Sequence, residues 1–385
     1  MRNERGTTGI LNGYRGLLIA SALIASVVPA IAAGQGCEIA SKLDPASLNP
    51  TGVVGKGPGE PASIDSVKLT EEQAKQAKEK KFRVALVMPG MDIDWSKLQE
   101  RGIRDTLAKY GAEVVAVADP NWQIDKQNNQ IGDLIQLKPD AIIADPLDTT
   151  AQSEAYKSIG AAGIKLILMQ QVPNGLKYPT DFQAMVSPDN PGNGQVAARM
   201  IDPFIPKEGV LGIINYGIDS FVTNERTRGV KEWFAANRPD ARIKQADFLD
   251  PSKAGDVAAN FLTANPDVNG LFVVFDAPAM QVAAALRAQA LDVPIATVDL
   301  GNAVAMEISK CGLVKGVAGQ RPYHQGVTEA EAALQVLLGN EVPAWVVVPS
   351  TPVLPQNLDE AYRDVWQAEP PKELTNSCQK NKTCM

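Results

Sequence analysis

The chain has 385 residues, 45% of them apolar, enough for about two domains with substantial cores and too many for wholesale disorder. A net charge of −7 argues against a nucleic-acid partner, which needs a basic face. The only histidine is His324 and no Cys-x-x-Cys occurs, so no metal site is expected. No glycine-rich phosphate loop follows a strand, and no cofactor is expected.

Arg2, Arg5 and Arg15 precede an apolar run, Gly16–Ala33, that contains Pro29 and the small-x-small triplet Ala30–Ile31–Ala32. This reads as a secretory signal peptide, residues 1–32, cleaved after Ala32. A lipoprotein reading through Cys37 meets a poor lipobox, Gly34–Gln35–Gly36. Cys37, Cys311, Cys378 and Cys384 form an even set in an exported chain, so two disulfides are expected. The sequence leaves all three connectivities open. Residues 33–81 read as an extension with one short helix. Its part 37–68 is rich in Pro, Gly and Ser and is expected to be exposed; Thr70–Glu71–Glu72–Gln73 fits a capping box that opens a charged helix to about Lys81.

An α/β block follows. Its strands are Phe82–Met88, Ala112–Ala118, Ala141–Ala144 and Lys165–Met169, with helices Trp95–Tyr110, Lys126–Leu137 and Thr150–Ala162 between them. A second block runs helix Gly192–Phe204, strand Gly209–Tyr216, helix Val222–Asn237, strand Arg242–Asp247 and helix Ser252–Ala264. It continues with strand Gly270–Phe275, helix Ala279–Gln289, strand Ile295–Val298, helix Val304–Cys311, strand Lys315–Gly319 and helix His324–Leu338. A Pro-rich, Cys-bearing tail, 366–385, ends the chain. Continuous apolar strands alternating with helices predict parallel sheets covered on both faces, so the fold class is α/β with two doubly wound, Rossmann-like lobes. Ligands of such sheets bind beyond the carboxyl ends of the strands, and clefts between domains are preferred sites.

Six segments carry a specific resemblance: VALVMPGMDIDW, IDKQNNQIGDLIQLKPDAIIADPLD, VSPDNPGNGQVAARMI, ERTRGVKEWF, TANPDVNGLFVVFDAPAMQVAAAL and PIATVDLGNAVAMEISKCGLVKGVAGQ. With them, residues 82–349 resemble the ribose- and galactose-type periplasmic sugar-binding proteins, the type I solute-binding components of ABC importers. The resemblance covers more than two thirds of the chain. It implies a type I periplasmic-binding-protein fold with a three-strand hinge, an N-terminal lobe of 82–187 plus 321–349, and a C-terminal lobe of 188–320 plus 350–365. It also implies a periplasmic monomer that captures a sugar, polyol or similar small polar metabolite by hinge closure and passes it to an ABC permease in the inner membrane.

Sugars and polyols present hydroxyl donors and acceptors together with apolar CH faces. Carboxylates, guanidinium and amides satisfy the first, and aromatic planes fit the second. Trp95 matches a stacking aromatic of the family; the plainer reading is a helix-start residue packed on the lobe. Asp145 directly follows an apolar strand, whereas Asp148 suits a turn or cap. Gln170 and Gln171 stand where the family's sugar binders carry Asp–Arg, which argues against copying ribose as the ligand. Arg226 has the family arginine's spacing from Gly229, and Arg228 suits a solvated ion pair. Asp299 and Gln320 each follow a buried strand and match family ligands. Phe248 and Phe275 are aromatic candidates with core packing as the alternative, and Asp276 is a polar neighbour. Ser187 and Asn190 are expected at the hinge. Two other functions stay open: a sensor or chemoreceptor co-ligand, and an exported glycoside hydrolase using Asp145 and Asp299. No G-x-S-x-G motif is present, and catalysis is not expected.

Overall fold

A computed structural model describes residues 33–218 and 220–384; the expected signal peptide lies outside them. The first half contains α1 (Ala33–Ser41), β1 (Pro61–Ser63), α2 (Glu71–Lys80), β2 (Arg83–Val87), α3 (Asp94–Lys109) and β3 (Glu113–Ala118). It continues with α4 (Ile124–Gln136), β4 (Ala141–Ala144), α5 (Ser153–Ala161), β5 (Lys165–Met169) and β6 (Ala184–Ser187). Then come α6 (Asn190–Ile201), β7 (Val210–Tyr216), α7 (Phe221–Asn237), β8 (Arg242–Phe248), α8 (Ala254–Ala264), β9 (Gly270–Val273), α9 (Asp276–Ala288), β10 (Ile295–Val298) and α10 (Asn302–Ser309). The remainder is β11 (Val314–Gly319), α11 (Pro322–Leu337), β12 (Trp345–Val347), β13 (Thr351–Val353), α12 (Leu358–Trp366) and α13 (Lys372–Asn381).

Two sheets organise these elements. One is seven-stranded and parallel, in the order β1-β12-β6-β5-β4-β2-β3. The other is six-stranded, in the order β13-β11-β10-β9-β7-β8, with β13 antiparallel to β11. The side-chain period of two explains the continuous apolar strands. In β2 and just past it, Val84, Leu86 and Met88 enter one core while Ala85 and Val87 enter the core on the opposite face. The chain passes between the sheets from β6 to α6, from β11 to α11, and from β12 to β13.

The extension is largely exposed, as its composition leads one to expect, but it is anchored to both sheets. Ala40 and Leu48 are buried in the core of the six-stranded sheet, and β1 pairs with β12 at the edge of the other sheet. Between them, the backbone N–H groups of Val54 and Gly55 donate to the Asp189 carboxylate at 2.7 and 2.8 Å, beside the β6–α6 passage. The extension is therefore a fourth crossing between the two sheets, made by irregular backbone. Its capping box at Thr70 and Gln73 forms as expected. Disulfides join Cys37 to Cys311 and Cys378 to Cys384, which resolves the open connectivity. The tail is folded as well: Leu374 and Cys378 are buried on α13, and Ser377 accepts a hydrogen bond from Ser309 at 2.7 Å. Prolines and short polar runs hide these elements because the surfaces that bury them belong to distant parts of the chain.

Candidate functional site

A cavity of about 280 Å³ lies between the carboxyl ends of the two sheets. It is lined from both sides by Trp95, Asp145, Gln170, Gln171, Arg226, Phe275, Asp276, Asp299 and Gln320, so nine of the ten expected side chains converge. Phe248 does not. It ends the edge strand β8, is 1% exposed, and packs behind the cavity wall. Its ring stacks on Tyr216 at 5.3 Å and meets Phe275 edge-on at 6.2 Å, so it supports the wall without forming it. Sequence reasoning missed Tyr216 and Trp122, which also line the cavity, and the apolar rim of Ile93, Leu147, Ile218 and Val222. Tyr216 ends β7, and the strand-end rule applied to β7 finds it.

Local structure aims these groups. Gln170 and Asp299 are the first residues after β5 and β10, and both have left-handed backbones, with φ of 62° and 75°. Such conformations are costly for residues with a side chain and concentrate at functional sites. Each is held in place by its N–H: Gln170 donates to the Val186 carbonyl at 2.9 Å and Asp299 to that of Ala318 at 3.0 Å. Gln127 on α4 fixes the Asp145 loop, its amide donating to the carbonyls of Met88 and Asp145 at 3.0 Å each. Asp148 instead caps its own turn, accepting from the N–H groups of Thr150 and Ala151.

Arg226 is 4% exposed. Its guanidinium donates to the Asp299 carboxylate at 3.2 Å, the Val274 carbonyl at 3.1 Å and Asn190 Oδ1 at 3.3 Å. It reaches them because α6 and α7 touch backbone to backbone: a Cβ at Gly194 would collide with the Arg226 carbonyl oxygen. Arg228, by contrast, pairs with Glu225 and Glu232 near the surface. Gln320 Oε1 accepts from Gln325 at 3.0 Å, Trp95 Nε1 at 3.3 Å and Gln170 at 3.4 Å, tying the β11–α11 passage to the cavity floor. Ser187 accepts from Trp345 Nε1 at 2.8 Å, and with Asn190 it sits at the β6–α6 passage.

The lobes also meet across the cavity mouth. At the N-terminus of α10 the Gly301 N–H donates to Asp276 at 2.9 Å, and the Asn302 N–H donates to Asp94 of the opposite lobe at 2.9 Å. Gly301 leaves no room for a side chain, since a Cβ there would collide with the Asp276 carboxylate. Free N–H groups at a helix start favour carboxylates, so Asp94 caps α10 only while the lobes are together.

The cavity's electrostatics are one-sided. Burial pushes Asp145 well above the usual carboxylate range, with Arg226 opposing it. Burial, then the neighbouring Asp299 carboxylate, raises Asp276 to about 7. Asp299 is raised by burial against the pull of Arg226, and Glu329, buried beneath Gln99, is raised by burial and by Asp145. Each of these groups holds its proton more tightly folded than unfolded. Their ionisation therefore costs stability as pH rises above the ordinary carboxylate range, and for Asp276 that cost develops up to about pH 7. His324, lowered by burial and by Arg321, works the other way with a single proton. The ligand-free protein is expected to melt at a higher temperature at pH 5 than at pH 7.5, by at least about 2 °C. Thermal unfolding at the two pH values checks this, and an equal or lower midpoint at pH 5 contradicts it.

Two largely parallel sheets, several passages of the chain between them and a ligand-sized cavity at the strand ends define a two-lobed binding protein. Residues 84–341, about two thirds of the chain, match the periplasmic binding protein domain, and the chain belongs to that family. It is 26% identical over 270 residues to a ribose import binding protein of Bacillus subtilis, covering 70% of this chain and 86% of that one. It is 22% identical over 280 residues to a putative rhizopine-binding protein of Rhizobium meliloti, covering 71% and 90%. Its fold is similar to an Agrobacterium vitis ABC transporter solute binding protein bound with α-D-tagatopyranose, with a TM-score of 0.70 at 22% identity, covering 75% of this chain and 100% of that one.

Proposed function

We propose that this chain is the exported ligand-capturing component of an ABC importer. It binds a sugar, polyol or similar small polar metabolite between its lobes, closes on it, and delivers it unchanged to an inner-membrane permease. The observation that carries this reading is the cavity itself, where hydrogen-bonding side chains from both lobes face a common space beside aromatic walls. Neither lobe alone completes that lining, so ligand and closure stabilise each other. Periplasmic binding proteins as a class close around their ligands by hinge motion, and the cross-lobe Asp94–Asn302 contact supplies a latch for it here. In this reading the segment through Ala32 is removed on export and the mature protein is a periplasmic monomer without catalytic activity.

The test is a thermal-shift and calorimetric panel of sugars and polyols on the mature protein, with each hit re-isolated and analysed. Reversible binding with the compound recovered intact supports capture; product formation overturns it, as does a panel without a single ligand. Closure has its own test. Asp94→Ala is expected to weaken affinity about tenfold, the value of one charge-assisted bond after solvation, with ligand-free stability nearly unchanged. Wild-type affinity in this variant contradicts the latch.

A further inference from the structure

The cavity's charge does not balance. Three carboxylates, Asp145, Asp276 and Asp299, line it against one guanidinium, that of Arg226, and no lysine is among the lining residues. Arg226 is already committed to Asp299. Asp276 has the Gly301 N–H for one oxygen. Asp145 is 7% exposed, and among the described residues nothing donates a hydrogen bond to its carboxylate.

The hydrogen-bonding deficit has the same sign. The buried side-chain atoms of lining residues that lack a partner are Gln170 Oε1, Gln171 Oε1 and Asp299 Oδ1, and each is an acceptor. Gln170 and Gln171 are both 3% exposed, so solvent does not relieve them cheaply. A bound molecule completes this site by bringing donors and positive charge. An ammonium group brings both, with three donors and no acceptor. The walls suit it as well: Trp95, Trp122, Tyr216 and Phe275 present aromatic rings, whose faces attract cations.

We propose that the natural ligand is a compact hydroxylated molecule carrying a protonated amine, an amino sugar or aminated polyol, with its ammonium group beside Asp145. This rests on the capture function proposed above and narrows its ligand class. A divalent metal is a poorer answer to the same charge excess. Among the described residues no group of three or more His, Cys, Asp or Glu side chains is arranged to hold one. The raised carboxylates fit the assignment too: burial, joined at Asp276 by the Asp299 carboxylate, favours their protonated forms, and a bound cation would favour release of those protons.

The experiment is calorimetric titration of the mature protein at pH 7 with matched pairs: glucosamine and glucose, galactosamine and galactose, and an aminated and a neutral inositol. N-acetylglucosamine serves as a neutral nitrogen-bearing control. The expected result is at least tenfold tighter binding of the amine in the best-bound pair, with the N-acetyl compound behaving like the neutral partner. Asp145→Asn should bring the amine-to-neutral ratio to within about twofold, while Asp133→Asn, on the exposed face of α4, should leave it unchanged. The wild-type comparison stands even where Asp145→Asn fails to fold. Neutral compounds binding as tightly as their amines overturn this inference and leave capture of a polyol intact. Failure of both arms overturns the inference and the capture function together.

Discussion

Replacing Arg226 with alanine is expected to reduce ligand affinity by at least about 100-fold and to destabilise the ligand-free protein by about 3–5 kcal/mol. Family resemblance by itself casts Arg226 as a ligand arm whose loss leaves the fold untouched. Its surroundings change that expectation. The guanidinium is 4% exposed and donates to Asp299, the Val274 carbonyl and Asn190. Removing it leaves Asp299, which is 8% exposed, without its cation and opens a gap between α6, α7 and the end of β9. Breaking one partner of a buried pair costs far more than the pair contributes, because the remaining charge has lost its water. Calorimetry with any ligand found by screening reads the first effect, and urea unfolding reads the second. Wild-type affinity would remove Arg226 from the site. Lost affinity with unchanged stability would restore the simpler picture of a dispensable arm.

The second large effect concerns the strap. Cys37→Ser together with Cys311→Ser is expected to lower stability by about 2–5 kcal/mol, read by denaturant unfolding under oxidising conditions. Cross-linking positions 274 residues apart removes much chain entropy from the unfolded state. The native side has little to replace it. Helix α1 has nine residues, too short to persist alone, and among its described side chains Ala40 is in the core cluster with Ile39 packed against it. Losing the disulfide therefore frees α1 and loosens the fourth crossing, which is hydrogen-bonded to Asp189. The Cys378–Cys384 bond joins positions only 6 residues apart and should contribute less. An unchanged unfolding midpoint after loss of Cys37–Cys311 would show that packing alone secures the strap.

The readable parts of this molecule are those in which one short window carries both the pattern and its reason. The strands β2, β4, β5, β9 and β10 are continuous apolar runs because each is covered on both faces, and their ends point to Asp145, Gln170, Phe275 and Asp299. The strand β1 has no such pattern; Pro61–Ala62–Ser63 is a strand only because β12 offers it an open edge. Helices α12 and α13 sit in a Pro-rich stretch and are held by Leu300, Asn302 and Ser309, which lie far back in the chain. Phe248 departs from its expected place for a related reason. A strand-end aromatic faces the cavity or lies behind it according to its neighbours, and Tyr216 already occupies the wall.

The amino-acid order alone therefore determines the class of fold, the cleft, and the charged and amide side chains that line it, because strand burial and strand ends are local consequences of periodicity. Tertiary structure decides what those side chains have left to offer. Whether Arg226 is free or already paired, whether Asp145 has a donor, and whether Asp94 finds the start of α10 are matters of which distant groups lie within about 3 Å. Desolvation at those distances turns a list of polar residues into a cavity short of positive charge, and no window of sequence contains that sum.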